Sequence, residues 1–180
     1  MRVDTDRYNR AWEFAKAAHG DQKRKYTGEP YWTHLVRVAE MVADTHGCTM
    51  EMVEAALLHD VLEDTHVTEY TLRTMFSPLV AHYVLELTDP DLSFGNRAAR
   101  KAATVERLRD APVAVKTIKL ADLLDNGPSI KEHDPKFYKV FLAEKTKLIE
   151  ALKGGDPILY ERAMAMTLQI SARGIDNAPG

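Results

Sequence analysis

The run LLHDVLEDT, Leu57 to Thr65, constrains this chain more than any other stretch. Leu57, Leu58, Val61 and Leu62 belong in a core, yet His59, Asp60, Glu63 and Asp64 stand among them. On a helix, residues three and four apart share a face, which brings Asp60 near Glu63 and Asp64 and sets His59 over Glu63. Three acids and a histidine crowded together repel or compete unless something cationic sits among them. A divalent metal with a carboxylate beside it to activate water meets that demand most economically.

The surrounding pattern is helical nearly throughout, with apolar residues at three- and four-residue spacing. Strand signals are nearly absent: β-branched residues are scattered and no alternation is sustained. Helices are expected over about 6–19, over about 33–46 with Gly47 as the stop, and onward from Thr49, which caps the helix carrying the opening run. Others follow from Thr68 to about 76, from Pro78 to about 87, over about 96–110, from Pro112 to about 124, from Asp134-Pro135 to about 153, and from Asp156-Pro157 to about 173. Segments 20–32 and 89–95 read as loops. The 180 residues suffice for one all-α helical bundle, expected as a single domain over 1–180 with its core in about 8–154.

A formal net charge of −3 provides no global basic field for holding DNA or RNA. Cys48 is the only cysteine, so no intramolecular disulfide is possible. The N-terminus lacks an apolar signal core and no apolar run approaches bilayer length, which makes the cytoplasm the default location and excludes a membrane partner.

His59-Asp60 alone is a weak signal. It gains force from His34, at the start of the second helix in GEPYWTHLVRVAE, and from Asp122 in KTIKLADLLDN. Together they supply two imidazoles and two carboxylates from three helices. Mixed N/O ligation of this kind suits Mn, Fe, Co or Zn better than Ca. Taken singly, His34 also fits a helix-terminal histidine, and His59 with Asp60 a structural ion pair. Asp122 is flanked by Leu120, Ala121, Leu123 and Leu124, where an acid is usually buried with a partner. Glu63 and Asp64, one turn on, fit groups that orient and deprotonate a water, and equally a solvated helix end.

A second candidate is QKRKYTGEPY, Gln22 to Tyr31, where Lys23, Arg24 and Lys25 form a cationic loop shaped by Gly28 and Pro30. Such side chains hold phosphates, and Arg also stacks on a base; a solvated charged loop is the plainer meaning. The helix with Arg97, Arg100 and Lys101 is a third basic element, readable either as a phosphate contact or as a solvated face.

In order and spacing, the segments AAHGDQKRKYTGEPYWTH, EAALLHDVLEDTHVT and IKLADLLDN resemble the hydrolase domain of the RelA/SpoT homologue family, within the HD-domain metal-dependent phosphohydrolases. The likeness extends over about residues 8–154. It implies His34, His59, Asp60 and Asp122 as metal ligands, commonly for Mn²⁺, and Glu63 with Asp64 as the water-activating pair. It also implies Arg24 and Lys25 around a guanine base, Asn126 as a nucleotide contact, and Arg97 with its neighbour Lys101 near phosphate. The implied activity is removal of pyrophosphate from the ribose 3′ position of guanosine tetra- or pentaphosphate, the alarmones of the stringent response. The length leaves no room for the synthetase and regulatory domains of the long members, so the small stand-alone hydrolases are the expected likeness.

Five positions depart from that pattern: Leu123 for Arg or Lys, Asp125 for His or Tyr, Gly127-Pro128 for a less constrained connection, and Tyr26 for a smaller or polar residue. They are expected to reshape the wall around the nucleotide. Two further readings therefore stand beside the first. One keeps the metal centre and changes the substrate to adenosine alarmones or the 2′-phosphate of NADPH. The other is a non-enzymatic alarmone-binding or antitoxin module, against which the intact Glu63 and Asp64 argue.

Overall fold

Short polar side chains start most of the helices by accepting hydrogen bonds from free backbone N–H groups. Asp4, Thr49, Thr68, Ser77, Asn96 and Asp134 all do so. The computed structural model of the chain describes residues 3–173, so residues 1–2 and 174–180 of the expected domain lie outside the described residues. In chain order the helices are α1 (Thr5–His19), α2 (Trp32–Ala43), α3 (Met50–Leu58), α4 (Val61–Asp64) and α5 (Glu69–Met75). They continue with α6 (Pro78–Leu87), α7 (Arg97–Asp110), α8 (Val113–His133), α9 (Pro135–Ala151) and α10 (Pro157–Arg173). The all-α expectation holds: among the described residues the extended pairing amounts to one isolated bridge, Lys23 with Pro30. No helix there is long and apolar enough to cross a membrane.

α3 is the hub. Seven of its apolar residues, Met50, Met52, Val53, Ala55, Ala56, Leu57 and Leu58, are buried, and it packs against α1, α2, α6 and α8. A helix apolar all round belongs at the centre of a bundle. Its one fully buried acid, Glu54, is paired with Arg7 of α1 at 2.6 Å and with Arg10 at 3.3 Å. α2 and α8 flank the hub, and both supply residues to the site.

Two expectations need correction. The opening run does not lie on one continuous helix: α3 ends at Leu58, and α4 is a separate single turn. His59 Nδ1 lies 2.8 Å from the Ala56 carbonyl, the group a continuing helix would bond to the Asp60 N–H, and Asp60 leaves regular geometry at φ −102°, ψ −4°. Glu63 Oε2 meets the Asp89 N–H. Second, α8 does not stop near residue 124 but runs through Gly127-Pro128 to His133. Pro128 has no N–H for the Leu124 carbonyl, but packing outweighs that loss. Ile130 beyond the proline is buried, and a Cβ on Gly127 would stand 2.8 Å from Met166 Cε of α10, so the two helices meet closely there. Smaller shifts occur at the ends of α2, which stops at Ala43, and α9, which stops at Ala151.

Candidate active site

Three chain segments bring titratable side chains to one point. His34 enters from the first turn of α2, His59 and Asp60 from the break after α3, and Asp122 from the middle of α8. His34 Nε2 lies 3.4 Å from Asp122 Oδ1 and 3.8 Å from Asp60 Oδ2. His59 Nε2 lies 3.1 Å from Asp60 Oδ2 and 3.9 Å from Asp122 Oδ1. One donor atom each from His34, His59 and Asp60 lie within 4.8 Å of one another. Both Nε2 atoms are buried and have no hydrogen-bond partner. Buried polar atoms are rarely left so.

The opposite ring nitrogens explain the orientation. His59 Nδ1 is 2.8 Å from the Ala56 carbonyl and His34 Nδ1 is 2.6 Å from Asp125 Oδ2. Each acceptor holds the proton on Nδ1 and leaves the Nε2 lone pair facing the cluster. Donor atoms 3.1–3.9 Å apart suit ligands about 2.0–2.2 Å from a shared ion. The residues thus fit a divalent cation, on the evidence of two orphaned imidazole nitrogens aimed at two carboxylates.

The electrostatics agree. Burial works to raise Asp60 and Asp122, but His59 beside Asp60 and Lys119 beside Asp122 reverse this and hold both below the usual carboxylate range. Burial works to lower His59, yet Asp60 and Asp122 raise it to about 9. In the metal-free protein a proton therefore occupies part of the place a cation would take. Lys119 Nζ sits 2.9 Å from Asp122 Oδ2, and Tyr31 donates its hydroxyl to Asp60 Oδ2 at 2.6 Å.

Glu63 and Asp64 follow on α4, where both are exposed and diverge. Glu63 Oε2 accepts the Asp89 N–H at 3.3 Å, and Asp64 accepts from Gln22 Nε2 at 2.9 Å. Loss of water around its carboxyl pushes Glu63 up, against the lowering effect of the Asp89 N–H.

The basic loop reaches the cluster through α8. Arg24 is buried and donates to Asn126 Oδ1 at 2.9 Å, and Asn126 Nδ2 donates to Asp122 Oδ1 at 2.6 Å. Lys25 stays exposed, with Nζ over Tyr26 at 4.9 Å. Arg24, Lys25, Tyr26, Tyr31 and Asn126 help line a hollow of about 320 Å³. Gly28, at φ 70°, gives the loop its tight return, closed by the Gly28 N–H on the Arg24 carbonyl at 3.0 Å.

Arg97 and Lys101 lie apart from the metal-type cluster. Both bind Glu144 of α9, Arg97 at 3.0 Å, and Arg97 itself is exposed. Lys101 shares a small cavity between α7, α8 and α9 with Asp89, Lys119 and Lys145. Burial and the nearby Lys119 bring Lys145 down to about 8.

The expectation that Leu123 shapes a nucleotide wall is corrected: the residue is 2% exposed and belongs to the core. Sequence reasoning passed over Tyr31, Lys119, Lys145 and the part played by Asp125. Lys119, Asp122, Asp125 and Asn126 fall at helical spacing, a signal that the expected early end of α8 obscured.

A family model described as "HD domain" matches residues 11–152. The guanosine-3′,5′-bis(diphosphate) 3′-pyrophosphohydrolase of Aquifex aeolicus (strain VF5) is 38% identical over 146 residues, 78% of this chain and 19% of that protein. The chain thus spans about a fifth of that relative's length. The MESH1 protein of Drosophila melanogaster, which bears the same enzyme name, is 35% identical over 125 residues, 68% of this chain and 69% of its own. A solved structure of a metazoan orthologue of SpoT, described as hydrolysing ppGpp and acting in starvation responses, superposes with a TM-score of 0.83 at 25% identity. It covers 94% of this chain and 98% of its own.

Proposed function

The chain belongs to the HD-domain family and is similar to the MESH1 proteins, and from that premise we propose that it hydrolyses the 3′-pyrophosphate of guanosine tetra- and pentaphosphate. The products would be GDP or GTP and pyrophosphate. The observation that carries this reading is the hydrogen-bond chain Arg24–Asn126–Asp122, which joins the basic loop and its hollow directly to the cluster of His34, His59, Asp60 and Asp122.

These four residues would hold a divalent cation, and the mixed imidazole and carboxylate set favours Mn²⁺ or another transition metal. Bound there, the cation would supply charge for phosphate oxygens and acidify a water. Glu63, with its raised affinity for protons, would take the proton of the attacking water, and Asp64 would help to orient it. Arg24 and Lys25 would hold the base in the hollow beside Tyr26, and Asn126 would contact the nucleotide next to Asp122. Lys101, with Lys119 and Lys145 around the same cavity, and Arg97 beside it on α7 would neutralise the phosphates as charge gathers in the transition state.

The test is turnover by purified protein with Mn²⁺ across ppGpp, pppGpp, the adenosine alarmones and NADPH. Pyrophosphate release from the guanosine compounds at the highest kcat/KM is expected. Protein that binds the metal but releases no pyrophosphate from any guanosine alarmone overturns the proposal.

A further inference from the structure

Asp125 has an unusual number of claims on two oxygens. Its side chain is only 7% exposed between α2 and α8. Oδ2 lies 2.6 Å from His34 Nδ1, and Oδ1 accepts from Arg37 Nε at 2.6 Å. Arg37 Nη2 and Arg24 Nη2 approach Oδ2 at 3.3 and 3.5 Å. His34 and Arg37 lie three apart on α2, so one helix face presents both the imidazole and the fork that clamps its acceptor.

We propose that Asp125 is a positioning residue of the candidate metal centre: held by Arg37, it binds the Nδ1–H of His34 and so fixes the ring with Nε2 turned to the cluster. The inference rests on the metal-site reading above. A neutral imidazole carries one proton, and placing it on Nδ1 leaves Nε2 as the only ligating nitrogen. Asp125 is poorly placed to be a ligand itself, because both oxygens are engaged on the Nδ1 side of the ring. The two histidines are anchored differently. His59 leans on the Ala56 backbone carbonyl, which no side-chain substitution removes, whereas His34 depends on one replaceable side chain. A carboxylate behind a ligating imidazole also raises its basicity, strengthening its hold on a cation.

The choice of substitution gives the inference a sharp edge. Asn at 125 keeps the shape but offers one acceptor and one donor group. Arg37 would claim the oxygen, and the amide N–H would then face Nδ1 and drive the His34 proton to Nε2. Asp125→Asn should therefore bind metal at least as poorly as Asp125→Ala, although it is the closer fit. The experiment measures Mn²⁺ affinity by chelator competition for the parent, Asp125→Asn, Asp125→Ala, Asp125→Glu and Arg37→Met. ¹⁵N-edited NMR of the histidine side chains reports the His34 tautomer in the metal-free proteins. We expect both Asn and Ala variants to lose about 10- to 100-fold in affinity, with Glu restoring part. The Nδ1–H signal of His34 should vanish in the Asn variant. Parent-like affinity or an unchanged His34 tautomer in Asp125→Asn overturns the inference. If that variant does not fold, Arg37→Met decides: a smaller loss in the same direction supports the clamp, and no loss overturns it. A parent that binds no metal would instead defeat the metal-site reading underneath.

Discussion

His34 and His59 matter most at the scale of single residues, because each presents to the two carboxylates a buried nitrogen with no hydrogen-bond partner. Glu63 is the residue whose removal separates chemistry from binding. Glu63→Gln should lower kcat by about 10²- to 10⁴-fold while leaving Mn²⁺ affinity unchanged, measured by steady-state kinetics beside calorimetry. A loss of metal binding would instead make Glu63 a ligand. Proton competition gives a second expectation. His59 is held up to about 9 in the metal-free protein, so below that pH a cation must displace a proton. Metal affinity should accordingly rise with pH through the neutral range and level off near 9, and calorimetry in a series of buffers will detect the proton released. Affinity independent of pH would contradict this. The residue types of the cluster were legible in the sequence, as were the clustered acids of the opening run. The role of Asp125 was not, because its partners His34 and Arg37 lie 91 and 88 positions away and only the packing of α2 on α8 brings them together.

Caps and glycines govern the scale of elements. Thr68, Pro78 and Asp134-Pro135 were readable as start signals, and α5, α6 and α9 begin where those signals stand, whereas the caps Ser77 and Asn96 were not read. The break at His59-Asp60 was not readable, since local pattern favours one helix and the interruption depends on a side chain bonding the Ala56 carbonyl. The passage of α8 through Pro128 escaped for the converse reason: a local stop signal was overridden by packing on α10. Two glycines test how rigid these contacts are. A Cβ on Gly155 would meet Leu120 Cδ1 at 2.9 Å and the Lys116 backbone carbon at 3.2 Å, so Gly155→Ala should cost about 1–3 kcal/mol. On Gly127 the obstacle is the end of the flexible Met166 side chain, so Gly127→Ala should stay within about 1 kcal/mol of the parent. Denaturant unfolding of the two variants checks the order, and a Gly127 variant less stable than the Gly155 one would reverse it.

At the scale of the whole molecule, the bundle converts distant sequence into one site. α2, the α3–α4 break and α8 each contribute donors, and α3 holds the other two in register from the centre of the core. An all-α class was legible because helical periodicity is a local property. The convergence of His34, His59, Asp60 and Asp122 is a property of packing, and from sequence it rested on resemblance. The same packing turns Leu123 inward, into the core. Under the proposed function this cluster, once loaded, directs water to the phosphorus attached to the ribose 3′ oxygen. The most direct measurement is ³¹P NMR and mass analysis of the products from ppGpp and Mn²⁺-loaded protein in ¹⁸O-water. GDP and pyrophosphate are expected, with the label in pyrophosphate. Orthophosphate as the initial product, or label in GDP, would contradict it.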